Sequence, residues 1–146
     1  LAPVAKQLME KAGFKVDMQS MDWQSVVARR AKKDPPAQGG WHAFLTSWVA
    51  ADILNPVSAA YFNSACDKAL FGWPCDPEME KLRDDFARAT DPAKQKAIAE
   101  AVQVRATQMT SHINLGQWYQ PAAIRKEAVS GFLTAPAPVF WNVTKK

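Results

Sequence analysis

The sequence has no hydrophobic run long enough to cross a membrane. Its longest apolar stretch, residues 43–51, is interrupted by Thr46 and Ser47, whereas a transmembrane helix needs ~20 apolar residues. The start of the chain also lacks the charged, apolar and small-residue sections of a secretory signal, and no initiator methionine precedes Leu1. We therefore expect either a processed chain or a fragment of a longer protein.

Motifs for catalysis and for phosphate binding are absent as well. No serine lies in a G-x-S-x-G turn, and no glycine-rich loop of the phosphate-cradling type occurs. The only histidines, His42 and His112, fall in distant strand-like segments, and together with the cysteines they lack the spacing of a zinc site. We predict no catalytic residue, no metal and no cofactor, and so no enzyme. A hydrolase that uses one of these histidines is the least implausible enzymatic alternative.

Charge of one sign is not concentrated anywhere in the chain. There are 18 basic and 14 acidic residues, a net charge of +4. The largest basic cluster lies at the end of a predicted helix, where cations interact favourably with the helix dipole: Arg29, Arg30, Lys32 and Lys33. A nucleic-acid-binding surface needs a denser basic stripe with aromatic residues between the charges. We expect a solvated helix end and no nucleic-acid partner.

Cysteine is scarce, and its two copies form one candidate pair. Cys66 and Cys75 stand nine positions apart in a segment rich in glycine, proline, asparagine and aromatic residues. In an oxidising compartment a disulfide here would stabilise the fold by roughly 2.5–3 kcal/mol in the chain-entropy treatment. A disulfide is the first interpretation, and two free buried thiols in a cytosolic protein are the alternative.

The first third of the sequence predicts a βαβ unit. The chain has 146 residues, 48% of them hydrophobic, which is enough for one compact domain. Apolar residues recur at helical spacing over residues 3–12, before Gly13, and again after a capping Asp22. Alternating or nearly continuous apolar residues predict strands at 14–21 and 42–49. Strand, helix and strand in this order imply parallel strands and the α/β class.

The rest of the sequence predicts a helical hairpin and a third strand. Residues 55–74 are expected to be irregular, with a short helix near 57–62. Asp76 and Asp91, each followed by proline, are expected to cap two helices that pack together; the charged residues of the first are interpreted as ordinary surface pairs. A strand is predicted at 112–119. The predicted fold is a single α/β lobe with a βαβ unit, a mixed sheet and a C-terminal helical hairpin.

Three side chains form the candidate ligand site. In an open parallel α/β sheet, ligands bind outside the carboxyl ends of the strands. The first two predicted strands end beside Trp23 and beside Trp48 and Asp52, so these residues are expected at one rim. Two indoles and a carboxylate suit a cationic or amine-bearing ligand. As alternatives, Trp23 could be a core residue and Asp52 could cap a short helix.

Several motifs occur in an order that identifies a family resemblance. After the first helix come G-F-K-V at 13–16, M-D-W at 21–23 and F-L-T-S-W at 44–48, then the helical hairpin at Asp91-Pro92 and I-N-L-G at 113–116. This order resembles the extracytoplasmic solute-binding proteins of the peptide, dipeptide and nickel ABC importers, known as family 5. The resemblance covers nearly the whole chain but only the carboxyl-terminal part of such a protein. It implies a periplasmic-binding-protein-like lobe, one of two that close on a ligand.

The resemblance also implies roles for individual residues. Trp23 is similar to the tryptophan that opens the helix after the first strand and can line the pocket. Trp48 is similar to the tryptophan that ends the next strand, near an acid that can grip a peptide's amino group, for which Asp52 is the candidate. Trp118 and Tyr119 would lie where the chain leaves this lobe, which makes them hinge or cleft candidates.

Domain organisation and partners follow from the same resemblance. Residues 1–126 would form the second ligand-binding lobe without its first strand, and 127–146 a tail that packs on the absent first lobe. Alone, that tail would be disordered, fold back, or exchange with a second copy in a domain-swapped or crystal dimer. The implied setting is the periplasm, where a small-molecule or oligopeptide ligand is captured for an ABC permease. A protein-interaction module that uses exposed aromatic residues is the alternative function.

Overall fold

The chain consists of two compact units, Leu1–Ser47 and Trp48–Lys146. The computed structural model describes residues 1–119, 121–133, 135 and 139–146. The predicted tail of residues 127–146 therefore lies partly outside the described residues, and its packing on another lobe stays a prediction. Within the described part of the chain, no helix combines the length and the apolar character needed to span a membrane.

The first unit contains two short helices close to their predicted positions. Helix α1 spans Ala2–Lys11, and Gly13 follows with φ of +92°, a left-handed conformation that glycine adopts without strain. Helix α2 spans Trp23–Arg30, and the Asp22 carboxylate accepts a hydrogen bond from the Ser25 amide at 3.0 Å. This bond confirms the predicted cap. Neither helix has a buried residue, so these helices gain little stability from apolar burial.

The three predicted strands do not form ladders in this structure. Residues 14–21, 42–49 and 112–119 are not in strands, so the βαβ unit and mixed sheet are not found among the described residues. Their alternating or apolar sequence favours an extended chain, but a strand forms only where its N–H and C=O groups meet a neighbouring strand. No strand neighbour lies beside these segments in the described ranges.

The second unit is built on the predicted helical hairpin. Helix α3 spans Pro77–Arg88, helix α4 spans Pro92–Met109, and the two pack against each other. The Asp76 carboxylate accepts a hydrogen bond from the Met79 amide at 2.7 Å, and Asp91 caps α4 in the same way. Proline follows each cap at the first helical position, where it has no hydrogen bond to lose. The predicted hairpin and both caps are confirmed.

The core of the second unit lies between these helices. Met79 is 1% exposed and Val102 is fully buried, and Ala106 completes the buried cluster. Three half-buried side chains pack against it: Phe62, Leu82 and Met109. Phe62 precedes both helices in the chain, so the core also anchors the irregular segment before α3.

That irregular segment is held by short 3-10 turns and by the disulfide. The turns span Ala50–Ile53, Ala60–Phe62 and Cys66–Lys68, so the short helix predicted near 57–62 is only a turn. Cys66 and Cys75 are bonded to each other, which confirms the predicted disulfide. The Cys66 amide donates to the Pro74 carbonyl, and the Asp76 amide donates to Ser64 just outside the bridge.

A small antiparallel sheet lies near the end of the chain. Strand β1, Val129–Ser130, pairs with strand β2, Thr144–Lys145, and the Ser130 and Thr144 hydroxyls lie 2.8 Å apart. Two-residue strands are too short to show alternation, and therefore no sequence pattern predicts them. The described fold is helix-rich with one small sheet, which is compatible with the α/β class, while the lobe architecture stays a prediction.

Candidate functional site

Of the ligand-site candidates Trp23, Trp48 and Asp52 and the cleft candidate Trp118, only Trp23 belongs to the first unit. It is the first residue of α2, its side chain is 51% exposed, and the Arg30 guanidinium lies 5.3 Å from its ring centroid, a cation–π distance. Hydrogen bonds from the Ser25 hydroxyl and amide hold the pKa of Asp22 below its usual value. Asp22 is thus a helix cap, as predicted, and Trp23 is not a core residue.

Arg29, one of the basic residues at the end of α2, forms hydrogen bonds within the first unit. Arg29 donates through Nε and Nη2 to the carbonyl of Gly40, at 3.1 and 2.8 Å, and through Nε to that of Gly39 at 3.2 Å. Its Nη1 donates to the Gln19 side chain. An open hollow of about 530 Å³ lies beside it, lined by Gln19, Met21, Ser25, Ala28, Arg29, Lys32, Pro36 and Gly39. Arg29 therefore joins three segments of the first unit.

Trp48 belongs to an aromatic cluster in the second unit. The aromatic cluster consists of Trp48, Tyr61, Phe62 and His112. The Tyr61 ring lies centrally, with its centroid 6.0 Å from Trp48, 4.6 Å from Phe62 and 4.6 Å from His112. The Phe62 and His112 rings are 5.3 Å apart, edge to face. These separations and tilts are the favourable ones for aromatic pairs.

Two members of the aromatic cluster carry shifted pKa values. Burial lowers the pKa of His112 below its usual value, because the charged imidazolium loses water on entering this apolar setting. Burial raises the pKa of Tyr61 for the corresponding reason, since it is the phenolate that is charged. Both side chains are therefore neutral near pH 7, and the cluster presents an apolar surface.

A cavity of about 330 Å³ adjoins the aromatic cluster on the side of α4. Its aromatic lining is Phe62 and His112, and the rest is Gln103, Ala106, Thr107, Thr110, Ile113 and Asn114. The lining thus combines apolar rings with neutral hydroxyl and amide groups. Its volume lies at the lower end of the range for small-molecule sites, whereas five of its eight lining residues carry polar side chains.

Asp52 and Trp118 also lie in the second unit, and both are exposed. Asp52 is in the 3-10 turn Ala50–Ile53, four residues after Trp48, and no side chain caps that turn. The alternative of Asp52 as a helix cap is therefore not realised. Trp118 is 60% exposed and Tyr119 is 90% exposed. Both aromatic side chains present apolar surface to water.

A polar network ties the segment that carries Tyr61 to α3. Arg83 donates from Nη1 to both carboxylate oxygens of Glu80, at 2.8 and 3.0 Å, and from Nε to the Pro56 carbonyl at 3.1 Å. Glu80 in turn accepts a hydrogen bond from the Ser64 amide at 2.7 Å. The expectation of ordinary surface charge pairing is therefore wrong for Glu80 and Arg83.

The expectation holds for other charged residues of α3. The pairs Lys81–Asp85 and Arg88–Asp84 are exposed and span one helical turn each. Charge spacing alone does not separate these pairs from Glu80–Arg83, because all of them share helical spacing. A signal was available in the apolar positions of the helix, since Glu80 and Arg83 directly follow Met79 and Leu82, which face the core.

The sequence also missed the centre of the aromatic cluster. The sequence predicts Tyr61 and Phe62 in a short helix and His112 in a strand, and it assigns none of the three to the ligand site. Their meeting joins residues about fifty positions apart, and no local pattern reports such a contact. Among the residues that the structure describes, no group of three histidine, cysteine or acidic side chains could hold a metal ion.

Comparison with known proteins finds that the chain is similar to part of one transport protein. No protein-family model matches the chain. The chain is 31% identical over 142 residues to a protein of Sinorhizobium fredii named "Probable peptide ABC transporter periplasmic-binding protein y4tO". The match covers 97% of this chain and 26% of that protein, so the chain spans about a quarter of its relative's length. That relative is a transporter binding protein and not an enzyme, in agreement with the expectation for this chain.

Proposed function

We propose that this chain is part of an extracytoplasmic solute-binding protein that captures a small organic or peptide-like ligand for an ABC importer. The similarity to a periplasmic binding protein over 97% of the chain carries this proposal. The finer assignment, to the C-terminal lobe of a family 5 protein that delivers its ligand to a membrane permease, rests on the sequence motifs. The segments 14–21, 42–49 and 112–119, which the sequence predicts as strands, would then gain their strand partners from the rest of the longer protein.

The proposed ligand-binding surface is made of aromatic rings and one carboxylate. Trp48 is 40% exposed and lies beside Tyr61 with the ring centroids 6.0 Å apart, so part of its indole is available to a ligand. Asp52, one turn further on, supplies the negative charge that a peptide's amino group requires. Trp118, in the same unit, is also exposed and is included in the proposed surface, while a ligand role for Trp23 in the first unit rests on the sequence motifs alone. Such rings bind apolar side chains and cations with little loss of conformational entropy.

Calorimetric titration with defined peptide mixtures tests this function. We expect the 146-residue chain to bind weakly, with Kd in the range of about 0.1–1 mM, because one wall of a cleft desolvates only part of a ligand. Pools of nickel chelates and of oligosaccharides serve as comparison ligands. The Trp48→Ala variant should lose binding, while Trp141→Ala, which removes a tryptophan that is 95% exposed, should not.

The role of Asp52 is tested by the ligand's own charge. The Asp52→Asn variant should weaken binding of peptides with a free amino terminus by about 3–10-fold, since an exposed ion pair contributes modestly. Binding of the same peptides with an acetylated terminus should be unchanged by this variant. Equal losses for both peptide sets would remove Asp52 from the site, and no binding in any pool would refute the solute-binding role.

Exposed aromatic residues favour a second candidate, a protein-interaction module. Tyr119 and Trp141 are 90% and 95% exposed, more than Trp23 or Trp48. Single exposed aromatic residues are common, but an exposed group of them marks an interaction surface. In this case the chain would bind no small ligand, and Trp141→Ala would abolish association with a protein partner while Trp48→Ala would not.

A further inference from the structure

Glu80 and Arg83 form hydrogen bonds with both ends of one short segment, residues 56–64. We call them the Glu80–Arg83 clamp. Arg83 donates to the Pro56 carbonyl at 3.1 Å and approaches that of Val57 at 3.4 Å, while Glu80 accepts from the Ser64 amide at 2.7 Å. Residues 56–64 are thereby tied at their start and at their end to one turn of α3.

The clamp is more sheltered from water than Lys81–Asp85 and Arg88–Asp84, the exposed ion pairs within α3. The side chain of Arg83 is 14% exposed and that of Glu80 is 31% exposed, whereas those of Arg88 and Asp84 are 79% and 69% exposed. Sheltered carbonyl and amide groups lose free energy when they are left without a partner. The guanidinium can serve two carbonyls and a carboxylate together because its donors form a fixed fork, which an ammonium group lacks.

The clamped segment carries the middle of the aromatic cluster. Between its two tied ends, Ala59 is fully buried and Phe62 packs against the core of Met79 and Val102. Tyr61 lies in the 3-10 turn Ala60–Phe62 and places its ring against both Trp48 and His112. Tyr61 therefore lies on a segment whose two ends are both bonded to α3, in addition to the contacts of its own ring.

We propose that the Glu80–Arg83 clamp is a positioning device for the ligand-facing aromatic surface, because it holds Tyr61 and Phe62 where Trp48 and His112 can pack on them. Neither clamp residue touches a ligand in this arrangement. The inference deepens the proposed function and rests on it only for the statement that this surface faces a ligand. The clamp itself is tested without any ligand.

The pKa of His112 reports whether the clamp keeps Tyr61 and Phe62 packed against its imidazole. It lies below the usual value because Tyr61, Phe62 and α4 exclude water from the imidazole. We expect the Arg83→Met variant to free residues 56–64, expose His112 and raise its pKa toward the ordinary value of about 6.5. The readout is an NMR titration of the histidine ring protons, assigned with a His42→Gln variant because the chain has two histidines.

A matched control lies on the same helix. Arg88→Met also removes one cation from α3, but it breaks an exposed pair with Asp84, so the pKa of His112 should stay unchanged. Arg83→Lys keeps the charge but not the fork, and it should give a pKa between those of the wild type and Arg83→Met. An unchanged pKa in a folded Arg83→Met variant overturns the proposal.

A second variant serves if Arg83→Met does not fold. Glu80→Gln keeps an acceptor for the Ser64 amide but loses the charge that pairs with Arg83, and it should raise the pKa of His112 in the same direction by less. No shift in this variant would equally overturn the clamp. Where peptide binding is observed, Arg83→Met should weaken it roughly 5–10-fold, because two freed aromatic side chains must be ordered again.

The two proposals fail in different ways. If the wild-type chain binds no ligand while the pKa of His112 responds to Arg83, the clamp stands and the solute-binding function falls. If peptides bind but the pKa of His112 ignores Arg83, the function stands and the clamp falls.

Discussion

Asp76 is a single residue that joins a helix cap to an ion pair. It is 8% exposed, caps α3 through the Met79 amide, and accepts hydrogen bonds from Arg105 on α4 at 3.2 and 2.5 Å. Arg105 first, and then the Met79 amide, hold the pKa of Asp76 below its usual value. Since Arg105 also lies 3.0 Å from Glu78, this corner connects the start of α3 to α4.

Removing the Asp76 carboxylate should destabilise the chain. We expect Asp76→Ala to lower the free energy of unfolding by roughly 1–3 kcal/mol, because it removes the cap and leaves Arg105 with one carboxylate fewer. Asp76→Asn should cost less, since asparagine also caps helices. Asp91→Ala, which removes a cap alone, is the matched control. Urea unfolding followed by circular dichroism measures all three variants.

The same carboxylate makes stability depend on acid pH. A folded-state pKa below the unfolded value of about 3.9 means that the stabilisation is present above that value and is lost as pH falls through the folded pKa. Wild-type stability should therefore fall more steeply than that of Asp76→Asn below about pH 4. Parallel acid profiles for the two proteins would contradict the ion pair.

His112 predicts a second pH dependence with its own range. Its folded pKa is lowered, so the unfolded chain takes up the proton first as pH falls through about 6.5. The stabilisation contributed by neutral, buried His112 is therefore complete above about pH 6.5. It decreases as pH falls from there to the pKa of His112 in the folded chain. The melting temperature should drop between about pH 7.5 and pH 5, and less so in His112→Asn. A drop of equal size in both proteins would exclude this source.

At the scale of elements, the helical hairpin carries the apolar stability of the second unit. Val102 is fully buried against Met79, whereas Val104, two residues along the same helix, is 59% exposed. We expect Val102→Ala to lower the free energy of unfolding by about 1–3 kcal/mol, and Val104→Ala to change it little. Equal effects in thermal unfolding would mean that α4 does not pack by this face.

The disulfide is the second element that stabilises this unit. It closes a nine-residue separation just before α3, and the adjoining Ser64 carbonyl accepts from the Asp76 amide at 2.9 Å. Replacing both cysteines, Cys66→Ser with Cys75→Ser, should lower stability by roughly 2.5–3 kcal/mol. Adding a dithiol reductant should reproduce this loss in the wild type and leave the double variant unchanged. Intact mass before and after reduction verifies the bond.

At the scale of the whole molecule, the two units differ in the interactions that stabilise each of them internally. Among the described residues, the five buried hydrophobic residues of the core all lie in the second unit: Ala59, Met79, Ala89, Val102 and Ala106. The helices of the first unit have ten and eight residues, and isolated helices below about 12–15 residues are marginal in water.

The isolated units should therefore behave differently. We expect residues 48–146 alone to unfold cooperatively, with a melting temperature close to that of the whole chain, and residues 1–47 alone to show little helix by circular dichroism. Loss of cooperative unfolding in the 48–146 fragment would show that its core needs the first unit.

Local signals in the sequence determined the helices, their caps and the disulfide of this protein. Asp22, Asp76 and Asp91 cap where expected because capping depends on a few adjacent residues, and Gly13 ends α1 for the same reason. Cys66 and Cys75 are nine positions apart in an irregular segment, so the disulfide between them can form without contacts to distant parts of the chain.

Tertiary structure alone decided the aromatic cluster, the clamp and the state of the predicted strands. Tyr61 packs against His112, which lies about fifty positions later in the chain. Arg83 and Arg88 both pair with an acid at helical spacing, but Arg83 also donates to the Pro56 carbonyl. Local spacing therefore predicts neither the aromatic cluster nor the clamp. The apolar patterns at 14–21, 42–49 and 112–119 specify which side chains share a face, but pairing depends on a neighbouring backbone. The physical reason is the same throughout: periodicity and capping act within one turn or one strand, whereas these features depend on distant segments meeting.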